Sequence, residues 1–239
     1  MSHPGGLLRW VGLCAAAEAV GMTAAATAAR VGASLAHGPT GAAGAWGVVV
    51  LGGLVEGTAI GLAQAAALRP LVRGLRVGRF VAVTVAVAGL GWAAASAPSV
   101  LATDDGAAGP PLAVVLGGAA GLGLVMGAVL GTAQAAVLRP TTAPVDQRGA
   151  ATAVRPGAAT ASGPLTAQAR DVARPWRWVG VSAAAWTPAM VVVFAGAQAA
   201  PASWPTGSVA LLGTATGALA GAVLGAVCGA LAPLLHAGT

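Results

Sequence analysis

Lysine, asparagine and tyrosine are absent from this chain of 239 residues, and isoleucine occurs once, as Ile60. Charged residues make up 8% of it, against about 25% in a soluble domain. So few charges cannot solvate a globular surface, which excludes a water-soluble enzyme and a disordered chain alike. The net charge of +6 rests on 12 arginines and no lysine. Such arginines are expected to orient helices and touch anionic lipid rather than bind nucleic acid. The missing or rare residues all have AT-rich codons, which points to a GC-rich bacterial genome. Only two cysteines occur, Cys14 and Cys228. Both lie in apolar stretches without metal-type spacing, and they read as small core residues.

What is present is hydrocarbon. Apolar residues reach 57% and the mean hydropathy is +0.83. A membrane span needs about 20 apolar residues. Six stretches qualify: Leu7–Ala29, Trp46–Leu68, Phe80–Leu101, Leu112–Leu138, Trp178–Ala199 and Ser208–Leu235. With six spans, eleven arginines fall on one side: Arg9, Arg69, Arg73, Arg76, Arg79, Arg139, Arg148, Arg155, Arg170, Arg174 and Arg177. Arg30 alone falls on the other, with Asp104 and Asp105. Positive residues stay inside, so both termini are expected in the cytoplasm of a bacterium, beneath its inner membrane. Trp10, Trp176 and Trp178 are expected to belt the inner interface, and Trp46 and Trp204 the outer one. Trp92 and Trp186 are expected to pack between helices. Residues 141–174, rich in Ala, Thr, Pro and Gly, read as a flexible cytoplasmic linker. The first span resembles a signal peptide in outline, but Glu18 interrupts it and its start recurs twice later, so it is expected to stay.

The chain repeats itself. Each odd span opens with arginine, an aromatic residue and valine: Arg9-Trp10-Val11, Arg79-Phe80-Val81 and Arg177-Trp178-Val179. The second span carries Gly53, Gly57, Gly61 and Gln64, then Leu68-Arg69-Pro70. Seventy residues later stand Gly123, Gly127, Gly131 and Gln134, then Leu138-Arg139-Pro140. The sixth span has Gly217, Gly221, Gly225 and Cys228, without the Gln and the Arg. These observations predict an all-α polytopic fold in one membrane domain. Its three parallel two-helix hairpins (7–70, 78–140 and 176–236) would surround a pseudo-threefold axis. Glycines four apart form a ladder, or glycine zipper, on one helix face and let another backbone approach closely. The even helices are therefore expected to form a tight central layer, with the odd helices outside. Arg69 and Arg139 are expected to anchor helix ends at the cytoplasmic mouth.

The Gly-x-x-x-Gly-x-x-Gln-x-x-x-Leu-Arg pattern resembles repeats in uncharacterised bacterial multi-span membrane proteins. Those carry Trp after the Gln, where Ala65 and Ala135 stand here. The resemblance covers the even spans. It implies a six-span membrane fold and supplies no catalytic residue.

Two ionisable groups fall deep in the bilayer, Glu18 and Glu56, roughly 13 Å from Arg9 and roughly 19 Å from Arg69 along their helices. Intramembrane carboxyls are costly and default to a functional reading. They form a candidate proton or cation site, and one or both are expected to be protonated. The plain alternative is a pair of carboxyls bonded to each other or to a carbonyl. Gln64 and Gln134 are candidates for a polar path, or else simply for bonds between helices. His3, His37 and His236 are isolated, so neither a metal site nor a cofactor is expected. Enzyme signatures fail: there is no His-Glu-x-x-His, no intramembrane Asp and no Ser-His pair at depth. The lack of asparagine removes an aquaporin-like Asn-Pro-Ala pair. Two functional classes remain. One is a structural or regulatory membrane subunit whose partners are lipid and other membrane proteins or copies of itself. The other is a small-solute or ion channel or transporter.

Overall fold

Six α-helices build the structure, a computed structural model describing residues 4–36, 41–72, 74–101, 110–138, 174–201 and 203–235. They are α1 (Pro4–Leu35), α2 (Gly41–Leu68), α3 (Val77–Leu101), α4 (Leu112–Leu138), α5 (Arg177–Gln198) and α6 (Thr206–Leu231). A short 3₁₀ turn, Ala232–Leu235, continues α6. Even α5, with 22 residues, extends roughly 33 Å, which covers a hydrocarbon core of about 30 Å. All six helices are long and apolar enough to cross a membrane, and the chain is an integral membrane protein. The candidate anchor Arg139 and the linker residues 141–173 lie outside the described residues.

Local sequence explains the helix ends. α2 stops at Leu68, two residues before Pro70, where the missing N–H and the ring would disrupt a further turn. The chain then reverses through Gly74, whose φ of 72° favours a residue without Cβ. Hydroxyls inside the spans are satisfied locally. Thr58, Thr84, Thr132 and Thr187 each donate to the carbonyl four residues earlier, at 2.7 to 2.8 Å. Pro188 sits inside α5.

Each helix packs on its neighbours in the chain, and α6 returns to pack on α1, which closes a ring of six. α3 and α4 touch least, and Met126 reaches across to Gly91 where they approach. The expected central layer of even helices does not form: among the described residues the backbones of α2, α4 and α6 stay apart from one another. Their glycines face odd helices instead. Gly57 and Gly61 abut Val85, Ala88 and Thr84 of α3; Gly127 and Gly131 abut Ser182, Ala183 and Val179 of α5; Gly221 and Gly225 abut Cys14, Ala15, Trp10 and Val11 of α1. In each case the partner is the next odd helix round the ring. A Cβ at Gly127 would lie 2.7 Å from the Ser182 carbonyl oxygen, and one at Gly225 would lie 2.6 Å from that of Trp10. The physical reason is alternation. A ring whose neighbours are antiparallel always sets an even helix between two odd ones, so its smallest face meets an odd backbone.

Of the five tryptophans expected at the interfaces, three are exposed and two are buried. Trp46, Trp176 and Trp204 are exposed, whereas Trp10 and Trp178 are buried. The latter two stack obliquely inside the bundle, with ring centroids 6.0 Å apart and planes at 40°. Arginines brace the same end. Arg9 Nη2 donates to the Ala66 carbonyl at 2.9 Å, and Arg177 Nη1 to that of Leu234 at 2.7 Å. Arg9 thus occupies a carbonyl near the C-terminal end of α2, and Arg177 one in the 3₁₀ turn that follows α6.

Candidate functional site

The ring's interior holds two polar levels. The first lies about one turn from the end of α2, at Gln64, which is followed by Leu68 four residues later. Gln134 of α4 donates through Nε2 to Gln64 Oε1 at 2.8 Å and to Thr84 Oγ1 of α3 at 2.9 Å. Its Oε1 accepts from Trp178 Nε1 of α5 at 2.7 Å. Thr84 in turn donates to the Phe80 carbonyl. All four side chains are buried. Side chains from four helices thus fill the centre and bond to one another. Cys228 of α6 and Cys14 of α1 are buried and unoxidised.

Some members of this level escape a reading by motif. Aligning the odd spans on Arg9, Arg79 and Arg177 places Cys14, Thr84 and Ser182 at one shared offset, five residues on. All three are buried. The signal was available in the sequence as a small, weakly polar residue at the same register in each odd span. The Trp178 N–H as a donor to Gln134 was not available, because it depends on which helix follows α4 round the ring.

The second level holds the carboxyls. Glu56 of α2 is packed against Gly21 of α1, where an added Cβ would lie 2.9 Å from the Glu56 Cα. Its Oε2 accepts from Trp92 Nε1 of α3 at 2.6 Å. Glu18, on α1, is 2% exposed, and neither of its oxygens has a hydrogen-bond partner in the protein. The backbone of Glu18 lies against Gly217 of α6. Glu56 is within electrostatic range of Glu18, as is Cys14 one turn back on α1. An isolated charge in this setting is expensive unless a proton or a cation joins it. Beside Glu56 lies a cavity of about 130 Å³, walled almost wholly by hydrocarbon and indole, with Met126, Trp186 and Met190 among its lining. The Trp186 N–H is buried and has no partner in the protein.

The structure therefore brings Gln64 and Gln134 into direct contact, and sets Glu18 and Glu56 near each other on adjacent helices. It leaves Arg69 exposed at the end of α2, apart from both levels. Among the described residues no group of three His, Cys, Asp or Glu could hold a metal ion. Comparison with protein-family models, curated proteins and solved structures finds no match to this chain.

Proposed function

We propose that this protein is a structural or regulatory subunit of a bacterial cytoplasmic membrane. Three parallel hairpins surround a pseudo-threefold axis, with both termini in the cytoplasm. The glycine ladders act as packing faces, and no catalytic residue or cofactor is required. The observation that carries the reading is the Gln64–Gln134–Thr84–Trp178 cluster. Its bonds of 2.7 to 2.9 Å join side chains of four helices to one another. Those side chains spend much of their hydrogen-bonding capacity on each other, as interhelical polar groups do when they hold helices together. The outer faces, rich in exposed Leu and Val, are then available to lipid, to other membrane proteins or to further copies.

A second reading has its own observation. Glu18 presents two buried carboxyl oxygens with no partner in the protein, which suits a proton or cation site shared with Glu56. Ion flux in proteoliposomes separates the two. The subunit reading predicts proton and cation flux no higher than in empty liposomes. Flux that is present in the wild type and abolished by Glu18→Gln/Glu56→Gln would replace it with the channel or transporter.

A further inference from the structure

The cavity beside Glu56 gathers residues that are scarce in this chain. Three of the four methionines, Met22, Met126 and Met190, line it together with the indoles of Trp92 and Trp186. Methionine adapts its shape to varied ligands, and indole rings attract a nearby ammonium. Among the described residues Glu56 is the one ionisable group in the walls. Its Oε2 accepts from Trp92. Its Oε1 bonds to nothing among the described residues, yet it is not sealed into the core as both Glu18 oxygens are. Thr84 is already committed to Phe80 and Gln134. The cavity therefore offers one free polar atom in a wall of hydrocarbon, thioether and indole.

That single atom selects among occupants. Waters want two to four polar partners each, and inorganic cations about six or more oxygen ligands; the walls supply neither. A hydrocarbon would leave Oε1 bare. A primary ammonium carries three donors, two of which would stay unpaired. A protonated tertiary amine carries one N–H, and the rest of it is hydrocarbon. It can enter from the bilayer as the uncharged base, between α3 and α4, where the flexible end of Met126 reaches across to Gly91. With Oε2 occupied by Trp92, a proton on Glu56 sits on Oε1. The amine lone pair takes that proton: the O–H bond breaks, the N–H bond forms, and the resulting ammonium–carboxylate pair has no net charge. A volume of about 130 Å³ is close to the roughly 150 Å³ that admits benzene.

We infer that this cavity binds a compact tertiary amine of about six to eight non-hydrogen atoms, with its nitrogen on Glu56 Oε1 and its alkyl groups among the methionines and indoles. Such binding needs no water path, so it stands whether ion flux favours the subunit or the channel.

Photolabelling of the full-length protein in detergent micelles with a small diazirine-bearing dimethylamine tests this. Peptide mapping is expected to find adducts in the stretches around Met126 and Met190. Triethylamine should compete with them. Triethylmethane, its isostere with C–H in place of nitrogen, should compete less well by roughly tenfold or more, the effect of one hydrogen bond to a charged group. Glu56→Gln keeps an oxygen for Trp92 but has no proton to exchange, and it should lower cavity labelling by roughly tenfold or more. The comparison of the two competitors needs no variant, so it decides the matter even where the substitution disturbs folding. Adducts confined to lipid-facing residues would overturn the inference. So would equal competition by triethylmethane, no competition by triethylamine, or unchanged labelling in folded Glu56→Gln.

Discussion

Adding one methyl group at Gly127 should loosen α4 from α5. The Cβ of Gly127→Ala would lie 2.7 Å from the Ser182 carbonyl oxygen and 2.8 Å from the Ala183 Cα. Both are backbone atoms of α5, so no side-chain rotation relieves the contact. Ordinary separation is about 3.5 to 4.0 Å, so the helices must part locally by roughly 0.7 to 1.3 Å. A gap of about 0.5 to 1 Å already forfeits a quarter to a half of each dispersion contact along the seam. Overpacking of this kind costs about 1–3 kcal/mol. The usual helix-propensity gain from Gly to Ala should be small here, because separated helices stay helical in the bilayer. The control is Gly121→Ala on the same helix, where nothing lies within 4 Å of the added Cβ. It should change stability by less than about 0.5 kcal/mol. Equilibrium unfolding in mixed SDS micelles, followed by tryptophan fluorescence, reads both. Equal stability of the two variants would refute close backbone packing at Gly127.

Other substitutions probe the two polar levels. Gln134→Leu strands the Trp178 N–H and takes a donor from Gln64 and Thr84, so it should cost about 1–3 kcal/mol per buried group left unpaired, read in the same unfolding assay. Glu18→Leu removes a carboxyl with no protein partner and should be neutral or stabilising, whereas Glu56→Leu orphans the Trp92 N–H and should destabilise by about 1–3 kcal/mol. Melting temperatures in detergent give the sign of each, and the reverse order would contradict the contacts described. Gly91→Ala meets only the flexible end of Met126, and its melting temperature should fall less than that of Gly127→Ala, since a thioether chain can move aside.

The helices were legible because membranes impose a length. Leu112–Leu138 is read from hydropathy alone and recurs unchanged as α4. α1 runs longer at both ends than Leu7–Ala29, since Pro4 is tolerated in a first helical turn and no proline interrupts residues 30–35 at the other end. The partners of each helix were not legible. Gly53, Gly57 and Gly61 announce a close approach to something, but nothing in α2 says whether that is α3 or α4. Spacing also put Gln64 and Gln134 at one depth, while their mutual bond depends on ring order. Trp10 and Trp178 misled for a related reason. A tryptophan at a span's end is interfacial on the lipid side and buried on the inner side, and a single sequence does not give helix rotation. Glu18 and Glu56 stood out as intramembrane carboxyls, yet only the packing of Gly21 against Glu56 sets them side by side.

In the subunit reading, the interior at the glutamine level is closed to water. The chain carries its own reporters there, Cys14 and Cys228, its only two cysteines and both buried. A membrane-impermeant, water-soluble thiol reagent applied to both sides of intact membranes should modify neither, while SDS-denatured protein should take two labels. A cysteine placed at the exposed position Gly207 serves as the positive control in folded protein. Modification of Cys14 or Cys228 in intact membranes, at a rate approaching that control, would mean that water reaches the centre, and the closed-subunit account would be wrong.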